Sequence, residues 1–120
     1  MFVLSATPAW AVKEWYDYYL EAREELIPAK KYAEAIKSLE AAVRLRPAAS
    51  LNEQTYGLRF VDYVPYYWQG VCYLRTGDFN SAIRMMGYLA RDGAGYRLGN
   101  WFFDRWLKRV EASRADAVRP

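Results

Sequence analysis

The chain contains no histidine and only one cysteine, Cys72. The absence of histidine removes the commonest general base and the commonest metal ligand together. A single cysteine excludes an intramolecular disulfide, and the apolar neighbours Val71, Tyr73 and Leu74 predict a buried thiol rather than a reactive one. Since no nucleophile–base pair or metal-ligand set can be assembled, the sequence indicates a protein that is not an enzyme and that uses no cofactor or metal.

Long apolar runs are also missing, and none approaches the roughly 18 residues of a membrane span. The first eleven residues, MFVLSATPAWA, end in an Ala-Trp-Ala triplet that is similar to a signal-peptidase site. They lack a basic n-region, and their apolar run is short for a signal peptide. The sequence therefore favours a cytoplasmic protein, with a periplasmic or secreted one as the alternative if this segment is the remnant of a trimmed signal.

What the chain does have is a high content of apolar and aromatic side chains. At 120 residues it has the length of a single domain, residues 1–120, that can bury a core without disulfides. The aromatic fraction of 18% exceeds the need of a minimal core, so some aromatic rings should lie at an interface. The net charge of +3 is too small for a dense basic footprint, which makes nucleic-acid binding the weaker expectation.

Apolar residues recur three and four positions apart along most of the chain, and no segment alternates with period two over any length. This spacing predicts an all-α fold of about five helices arranged as antiparallel hairpins. Helix-capping and helix-breaking residues set the boundaries of these helices. They include a capping box at Ser50–Glu53 and a glycine, Gly77, that ends a helix. The expected helices run from Thr7-Pro8 to Pro28, from 31 to Pro47, from Leu51 to Gly77, from Asp78 to about 91, and over about 100–115.

The third of these helices passes through the aromatic segment RFVDYVPYYWQG, residues 59–70. Because Phe60, Tyr63 and Tyr67 have helical spacing, they are expected to face the neighbouring hairpin. A proline inside a helix removes a hydrogen bond, so a long helix kinked near Val61 to Pro65 is predicted. The residues Tyr66 and Trp68 point away from that stripe, which leaves open a role in stacking or cation–π contacts.

Two blocks of the chain resemble each other, KYAEAIKSLEAAV at 31–43 and DFNSAIRMMGYLA at 78–90. Each follows a predicted helix, and matching positions carry the same kinds of residue. With Gly77-Asp78-Phe79 and small residues at Gly70 and Ala82, the chain resembles the tetratricopeptide repeat family. The resemblance implies repeat 1 at about 12–47, an extended repeat 2 at about 51–94, a short right-handed superhelix and a capping helix at the C-terminus. The alanines Ala35 and Ala82 lie 47 positions apart rather than the family's 34.

Repeats of this family commonly bind extended peptides in a groove lined by the first helix of each repeat. The matching positions are Leu20 and Glu24 in the first unit and Tyr67 and Val71 in the second. The Lys and Asn carboxylate clamp of one variety is absent. The resemblance therefore implies a ligand that is apolar or compatible with aromatic contacts, with a basic one favoured by the neighbouring carboxylates.

The sequence thus predicts a protein–protein interaction or scaffold module that binds a peptide or a partner protein. Two repeats are fewer than the usual minimum of about three, so Trp10 and Trp15 are expected to meet a second copy, a further domain or a partner. The alternative is a helical-repeat RNA binder that uses exposed aromatic residues and the basic C-terminal helix with Arg105 and Arg109. The candidate partner-binding residues are Tyr66, Tyr67, Trp68, Leu20, Glu24, Trp10 and Trp15.

Overall fold

A computed structural model describes residues 12–57 and 59–91, together with 108, 109, 111, 112 and 115. The predicted helix start at Thr7-Pro8, the candidate residue Trp10 and most of the helix over 100–115 lie outside the described residues. The described elements are α1 (Trp15–Leu20), a π-helix that continues it (Glu21–Leu26), α2 (Tyr32–Leu45), β1 (Ser50–Gln54), β2 (Phe60–Tyr63), α3 (Pro65–Thr76) and α4 (Phe79–Arg91). Within the described residues, no helix is long and apolar enough to cross a membrane.

The expectation of an all-α stack of hairpins is wrong, because β1 and β2 form a two-stranded antiparallel sheet between α2 and α3. The residue Ser50, predicted to cap a helix, pairs instead with Tyr63, and Gln54 pairs with Phe60. The long kinked helix is also absent, since Pro65 is the first residue of α3 rather than a kink. The fold therefore combines two helical hairpins with a β-hairpin, made of β1, β2 and the turn between them.

The physical reason lies in the four residues of β2. Their burial alternates strictly, with Val61 and Tyr63 buried and Phe60 and Asp62 exposed. This is the period of a strand with one face on the core. The spacing of three between Phe60 and Tyr63 fits a helix equally well, but the structure leaves Phe60 50% exposed while Tyr63 is fully buried. A positive φ of 60° at Gly57 helps the chain to turn between the strands.

The first helical hairpin consists of α1, the π-helix and α2. Fully buried alanines at Ala22, Ala35 and Ala42 lie at its centre, where the absence of a larger side chain lets the helices approach closely. Around them, Tyr19 and Leu39 are also fully buried. Most of the residues on the two predicted helical stripes are buried or half-buried. The predictions for Val12 and Leu45 are wrong, because these side chains are 52% and 57% exposed and α1 begins only at Trp15.

Two buried tyrosines fasten the β-hairpin to this first helical hairpin. The Tyr19 hydroxyl donates to the Asp62 carbonyl at 2.5 Å and accepts from the Val64 N–H at 3.3 Å. The Tyr63 hydroxyl donates to the Arg46 carbonyl at 2.7 Å, and the two tyrosine rings meet edge to face at 5.0 Å. Burial raises the pKa of both phenols, so they remain protonated donors at neutral pH.

The second helical hairpin, α3 and α4, follows the predicted boundaries at its turn. The residue Gly77 has a φ of 83° and ends α3 in the left-handed conformation, as expected. The side chain of Asp78 accepts hydrogen bonds from the Ser81 N–H at 3.1 Å and from its hydroxyl at 2.6 Å, which confirms the predicted cap. These bonds hold the pKa of the Asp78 carboxyl below its ordinary value. Because only two residues join the helices, they run antiparallel.

Candidate functional site

A cleft of about 420 Å³ lies between α2, α3 and α4, and we call it the apolar cleft. Residues spaced three, four or seven apart share one face of a helix, so each of the three helices presents a single stripe to this space. The lining residues are Glu40, Val43 and Arg44 from α2, Tyr66, Gln69 and Tyr73 from α3, and Met85 and Tyr88 from α4.

Tyrosine rings form much of the wall of the apolar cleft. The rings of Tyr66 and Tyr88 are inclined at 42° with their centroids 5.5 Å apart. The hydroxyl of Tyr66 donates to the Pro47 carbonyl at 3.0 Å, which fixes the ring against the end of the first helical hairpin. Burial, and then the nearby Glu40 carboxylate, raises the pKa of the Tyr73 phenol. The Tyr73 phenol is therefore neutral at neutral pH, and the wall offers flat aromatic faces.

The polar group inside this wall is the amide of Gln69, whose residue is only 4% exposed. Its Oε1 atom is buried and accepts no hydrogen bond from the rest of the described protein. An unsatisfied buried acceptor disfavours folding by about 1–3 kcal/mol. This oxygen exposes almost no surface, so it does not face the open space of the cleft.

The exposed rim of the apolar cleft carries one charge of each sign, Glu40 and Arg44. Neither takes part in the ion pairs formed within the described part of the chain, which are Lys13–Glu21, Arg46–Glu53 and Arg59–Glu24. Because the two charges are opposite and one helical turn apart, the rim has no net charge. It does not favour a strongly charged ligand of either sign.

A second cleft of about 390 Å³ lies between the π-helix and the β-hairpin, and we call it the polar cleft. Here the polar groups bind each other. The Arg59 guanidinium pairs with the Glu24 carboxylate, and the Asp62 carboxylate accepts the Asn52 N–H at 2.9 Å. The lining residues are Arg23, Glu24, Asn52, Arg59, Phe60, Val61 and Asp62.

The structure separates the residues that the sequence placed together in a groove. The side chain of Leu20 is 7% exposed and belongs to the core, whereas Glu24 is exposed in the polar cleft. The ring of Trp15 packs at 4.6 Å from that of Tyr63, and the Arg46 guanidinium lies 4.8 Å above it. These contacts within the chain account for much of the surface of Trp15.

Of the three aromatic residues at 66–68, only Tyr66 lines the apolar cleft. The rings of Tyr67 and Trp68 are half-buried and meet edge to face at 5.0 Å. The Trp68 ring packs against the cores of both helical hairpins and lies 5.5 Å from the Arg23 guanidinium. It joins the two halves of the molecule.

The cleft residues that sequence reasoning missed include Gln69, Met85 and Tyr88. A signal for Gln69 was present, because it shares a helix face with Tyr66 and Tyr73 at spacings of three and four. A lone amide on such an aromatic stripe needs a hydrogen-bond partner if it is buried. The residues from α4 gave no comparable signal, since their part in the cleft depends on how α4 lies against α2.

Two further observations concern metal binding and the reactivity of the thiol. No group of three or more His, Cys, Asp or Glu side chains among them is placed to hold a metal ion. Burial raises the pKa of the Cys72 thiol to about 11, so the thiol is inert at neutral pH.

Comparison of the chain with protein-family models, with curated proteins and with solved structures finds no match.

Proposed function

We propose that this protein is a non-enzymatic interaction module that binds a segment of a partner protein in the apolar cleft. The observation that carries the proposal is the aromatic wall of the cleft, where the Tyr88 ring is 42% exposed and its centroid lies 5.5 Å from that of Tyr66. Large aromatic side chains are typical anchors of protein–protein interfaces. The inert Cys72 thiol and the absence of histidine support a binding role over catalysis.

We further propose that the two helical hairpins are divergent tetratricopeptide-like units separated by the β-hairpin. The fully buried alanines Ala35 and Ala82 occupy matching positions in the two units and support this reading. The groove predicted from the family is less suited to binding here, because Leu20 and Val71 are both buried. The apolar cleft lies instead between the second helices of the two units, with the first helix of the second unit as its floor.

The alternative of RNA binding draws less support from the site. Phosphate binding requires an excess of cationic side chains. At the apolar cleft Arg44 is balanced by Glu40, and in the polar cleft Arg59 is paired with Glu24. Of the arginines invoked for that alternative, Arg105 lies outside the described residues.

The test is a selection of random peptides displayed on phage against the intact protein, followed by affinity measurement on the wild-type protein and two variants. The substitution Tyr88→Ala removes a ring that is 42% exposed at the cleft, so the fold should tolerate it. We expect a loss of tenfold or more in peptide affinity, as for an aromatic residue at the centre of an interface. The matched control is Tyr56→Ala, a tyrosine that is 52% exposed on the turn of the β-hairpin, and it should leave the affinity unchanged.

Equal peptide affinity for Tyr88→Ala and the wild-type protein would contradict the proposal. So would a failure to select any peptide, combined with salt-sensitive binding of a single-stranded oligonucleotide that survives Tyr88→Ala. That second result would favour the RNA-binding alternative.

A further inference from the structure

We infer that Tyr16 and Tyr56, together with the carboxylates of Glu14 and Asp17, form a second interaction surface, which binds an arginine in a basic segment of a partner protein. We call this group of four residues the acidic tyrosine surface. It lies where the start of α1 meets the turn of the β-hairpin. The inference does not depend on the proposed function, because none of the four residues lines the apolar cleft.

The two tyrosine rings offer aromatic faces at the surface. Their centroids lie 5.8 Å apart and their planes are inclined at 49°. Tyr56 is 52% exposed and Tyr16 is half-buried, so both rings keep surface that a partner can contact. The face of an aromatic ring carries partial negative charge and attracts a cation placed above it.

The charge beside these rings is negative. The Asp17 carboxylate accepts the Glu14 N–H at 2.8 Å, a neutral donor that leaves its charge in place. Among the described residues, neither Glu14 nor Asp17 takes part in an ion pair. Partial burial, and then the charges of Asp17 and Glu14, raise the pKa of the Tyr16 phenol, as expected for carboxylates close to that ring. A cation on the rings therefore meets two unpaired carboxylates as well.

The neighbouring cations of the chain already have partners. The Lys13 ammonium bonds the Glu21 carboxylate at 3.0 Å. The Arg59 guanidinium pairs with Glu24, and it also donates to the Tyr56 hydroxyl at 3.4 Å. This last contact is with the hydroxyl at the edge of the ring rather than with the ring face. Because Lys13 and Arg59 are each offset by a carboxylate of their own, the acidic tyrosine surface keeps its negative charge.

Other aromatic rings of this protein are covered by a guanidinium of the chain itself. The Arg46 guanidinium lies 4.8 Å from the Trp15 ring, and that of Arg23 lies 5.5 Å from the Trp68 ring. Within the part of the chain that the structure describes, no cation lies over the rings of the acidic tyrosine surface. A partner that brings one would complete the same arrangement there.

The chemistry of the surface favours arginine over other side chains. A guanidinium is planar and less strongly hydrated than an ammonium, so it can stack on a ring while it donates to a carboxylate. An apolar side chain would leave the two carboxylates without a counter-charge. A phosphate or a carboxylate on the partner would be repelled by them.

The experiment compares two peptides of nearly the same shape, acetyl-tetraarginine amide and acetyl-tetracitrulline amide, of which only the first is charged. Each is titrated into the isotope-labelled intact protein and followed by ¹H–¹⁵N NMR. We expect tetraarginine to bind about fivefold more tightly, since a cation on exposed rings and its attraction to the carboxylates together contribute about that factor. The largest shift changes should fall on the amides of residues 14–17 and 56.

A pair of ring substitutions locates the binding. The substitution Tyr56→Ala removes an exposed ring from a turn, so the fold should tolerate it. It should weaken tetraarginine binding about threefold, the contribution of one exposed cation–π contact. The matched control is Tyr88→Ala, which removes a 42% exposed ring of the apolar cleft and should leave this affinity unchanged.

A pair of double variants tests the charges. Glu14→Gln with Asp17→Asn keeps an oxygen acceptor at each position and removes both charges, so the preference for tetraarginine should fall to about twofold or less. The matched control, Glu25→Gln with Glu34→Gln, removes two exposed carboxylates elsewhere and changes the net charge by the same amount. It should retain the preference.

Equal affinity of the two peptides for the wild-type protein would overturn the inference, as would a failure of tetraarginine to bind. Tetraarginine binding that Tyr56→Ala leaves unchanged would also overturn it. So would an equal loss of the preference in the two double variants, because the attraction would then be diffuse. The phage selection separates this inference from the proposed function. Selected peptides that depend on Tyr88 and not on Tyr56 support the proposed function whatever tetraarginine does, whereas tetraarginine binding that depends on Tyr56, with no peptide bound in the apolar cleft, would refute the proposed function alone.

Discussion

The apolar and polar clefts have similar volumes, about 420 and 390 Å³, but they differ in how their polar groups are satisfied. In the polar cleft, Glu24 pairs with Arg59 and the Asp62 carboxylate accepts a backbone N–H. In the apolar cleft, the Gln69 Oε1 is buried and has no donor among the described residues. The two clefts therefore differ in the chemistry of their walls rather than in their size. A buried oxygen without a hydrogen bond is not peculiar to the apolar cleft, because the Ser50 hydroxyl in β1 is another.

The backbone is irregular around the polar cleft and regular around the apolar cleft. The polar cleft adjoins a π-helix, a register irregularity in β1 and a left-handed residue, Asn52, with a φ of 52°. The apolar cleft is built on regular helices, which hold side chains more accurately than irregular segments do. Irregular backbone often accompanies functional sites. In this protein the irregular backbone lies where the β-hairpin packs against the first helical hairpin. We call this contact the joint, and its packing accounts for the irregularity.

The largest expected effect comes from Tyr63→Ala, which breaks the joint beside the polar cleft. This fully buried ring contacts Trp15 and Tyr19, and its hydroxyl bonds the Arg46 carbonyl. We expect the free energy of unfolding, measured with urea, to fall by about 3–5 kcal/mol, as for other large aromatic residues cut to alanine in cores. The control Tyr63→Phe keeps the ring and loses one hydrogen bond, which should cost about 0.5–1.5 kcal/mol.

A loss below about 1 kcal/mol for Tyr63→Ala would show that the ring does not fasten the hairpin. The folded molecules of this variant also test whether the two clefts are independent of each other. If the clefts are independent, folded Tyr63→Ala should bind the selected peptide with the wild-type affinity.

The joint is also the part of the fold that the sequence did not predict. The stripes of α2 and α4, the left-handed Gly77 and the Asp78 cap followed from local spacing and from capping chemistry. Those features depend on contacts within one helix or one turn, which a single sequence encodes directly. The β-hairpin depends on pairing between two segments, and the spacing of Phe60 and Tyr63 suits a helix as well as a strand. Local pattern could not decide between these, because the outcome is set by the contacts of Tyr63 with the first helical hairpin.

The same reason limits prediction of the site. Aromatic content predicted an interface, and Tyr66 was singled out by its direction on the predicted helix; the structure places it in the wall of the apolar cleft. The other walls come from α2 and α4, which are separated in sequence by the β-hairpin and α3. Only the packing of these helices shows that Val43 and Tyr88 line one space and that Gln69 lies between them without a donor.

A smaller effect of opposite sign is expected for Gln69→Met. Replacing an unsatisfied buried amide by an apolar group of similar length should raise the free energy of unfolding by about 1–3 kcal/mol. Urea unfolding measures this change in stability.

The matched control for this substitution is Gln54→Met. The amide of Gln54 is exposed and already donates to the Gly57 carbonyl at 2.8 Å, so its removal should not stabilise the protein. If Gln69→Met instead destabilised the protein by more than about 1 kcal/mol, the amide would have a structural partner. The distinction between the two clefts would then be lost.

The smallest effect is expected in the polar cleft itself, from Glu24→Gln and Arg59→Gln. Both side chains are substantially exposed, 47% and 39%, so their ion pair is screened by water. A double-mutant cycle should give a coupling energy of about 1 kcal/mol or less, and about 1 M salt should abolish it. The control Glu25→Gln changes an adjacent exposed carboxylate and should show no coupling with Arg59. The affinity for the selected peptide should be unchanged in all of these variants. A coupling of about 2 kcal/mol or more that resists salt would mean that the polar cleft shields its charges, and such shielding would make it a preorganised site comparable to the apolar cleft.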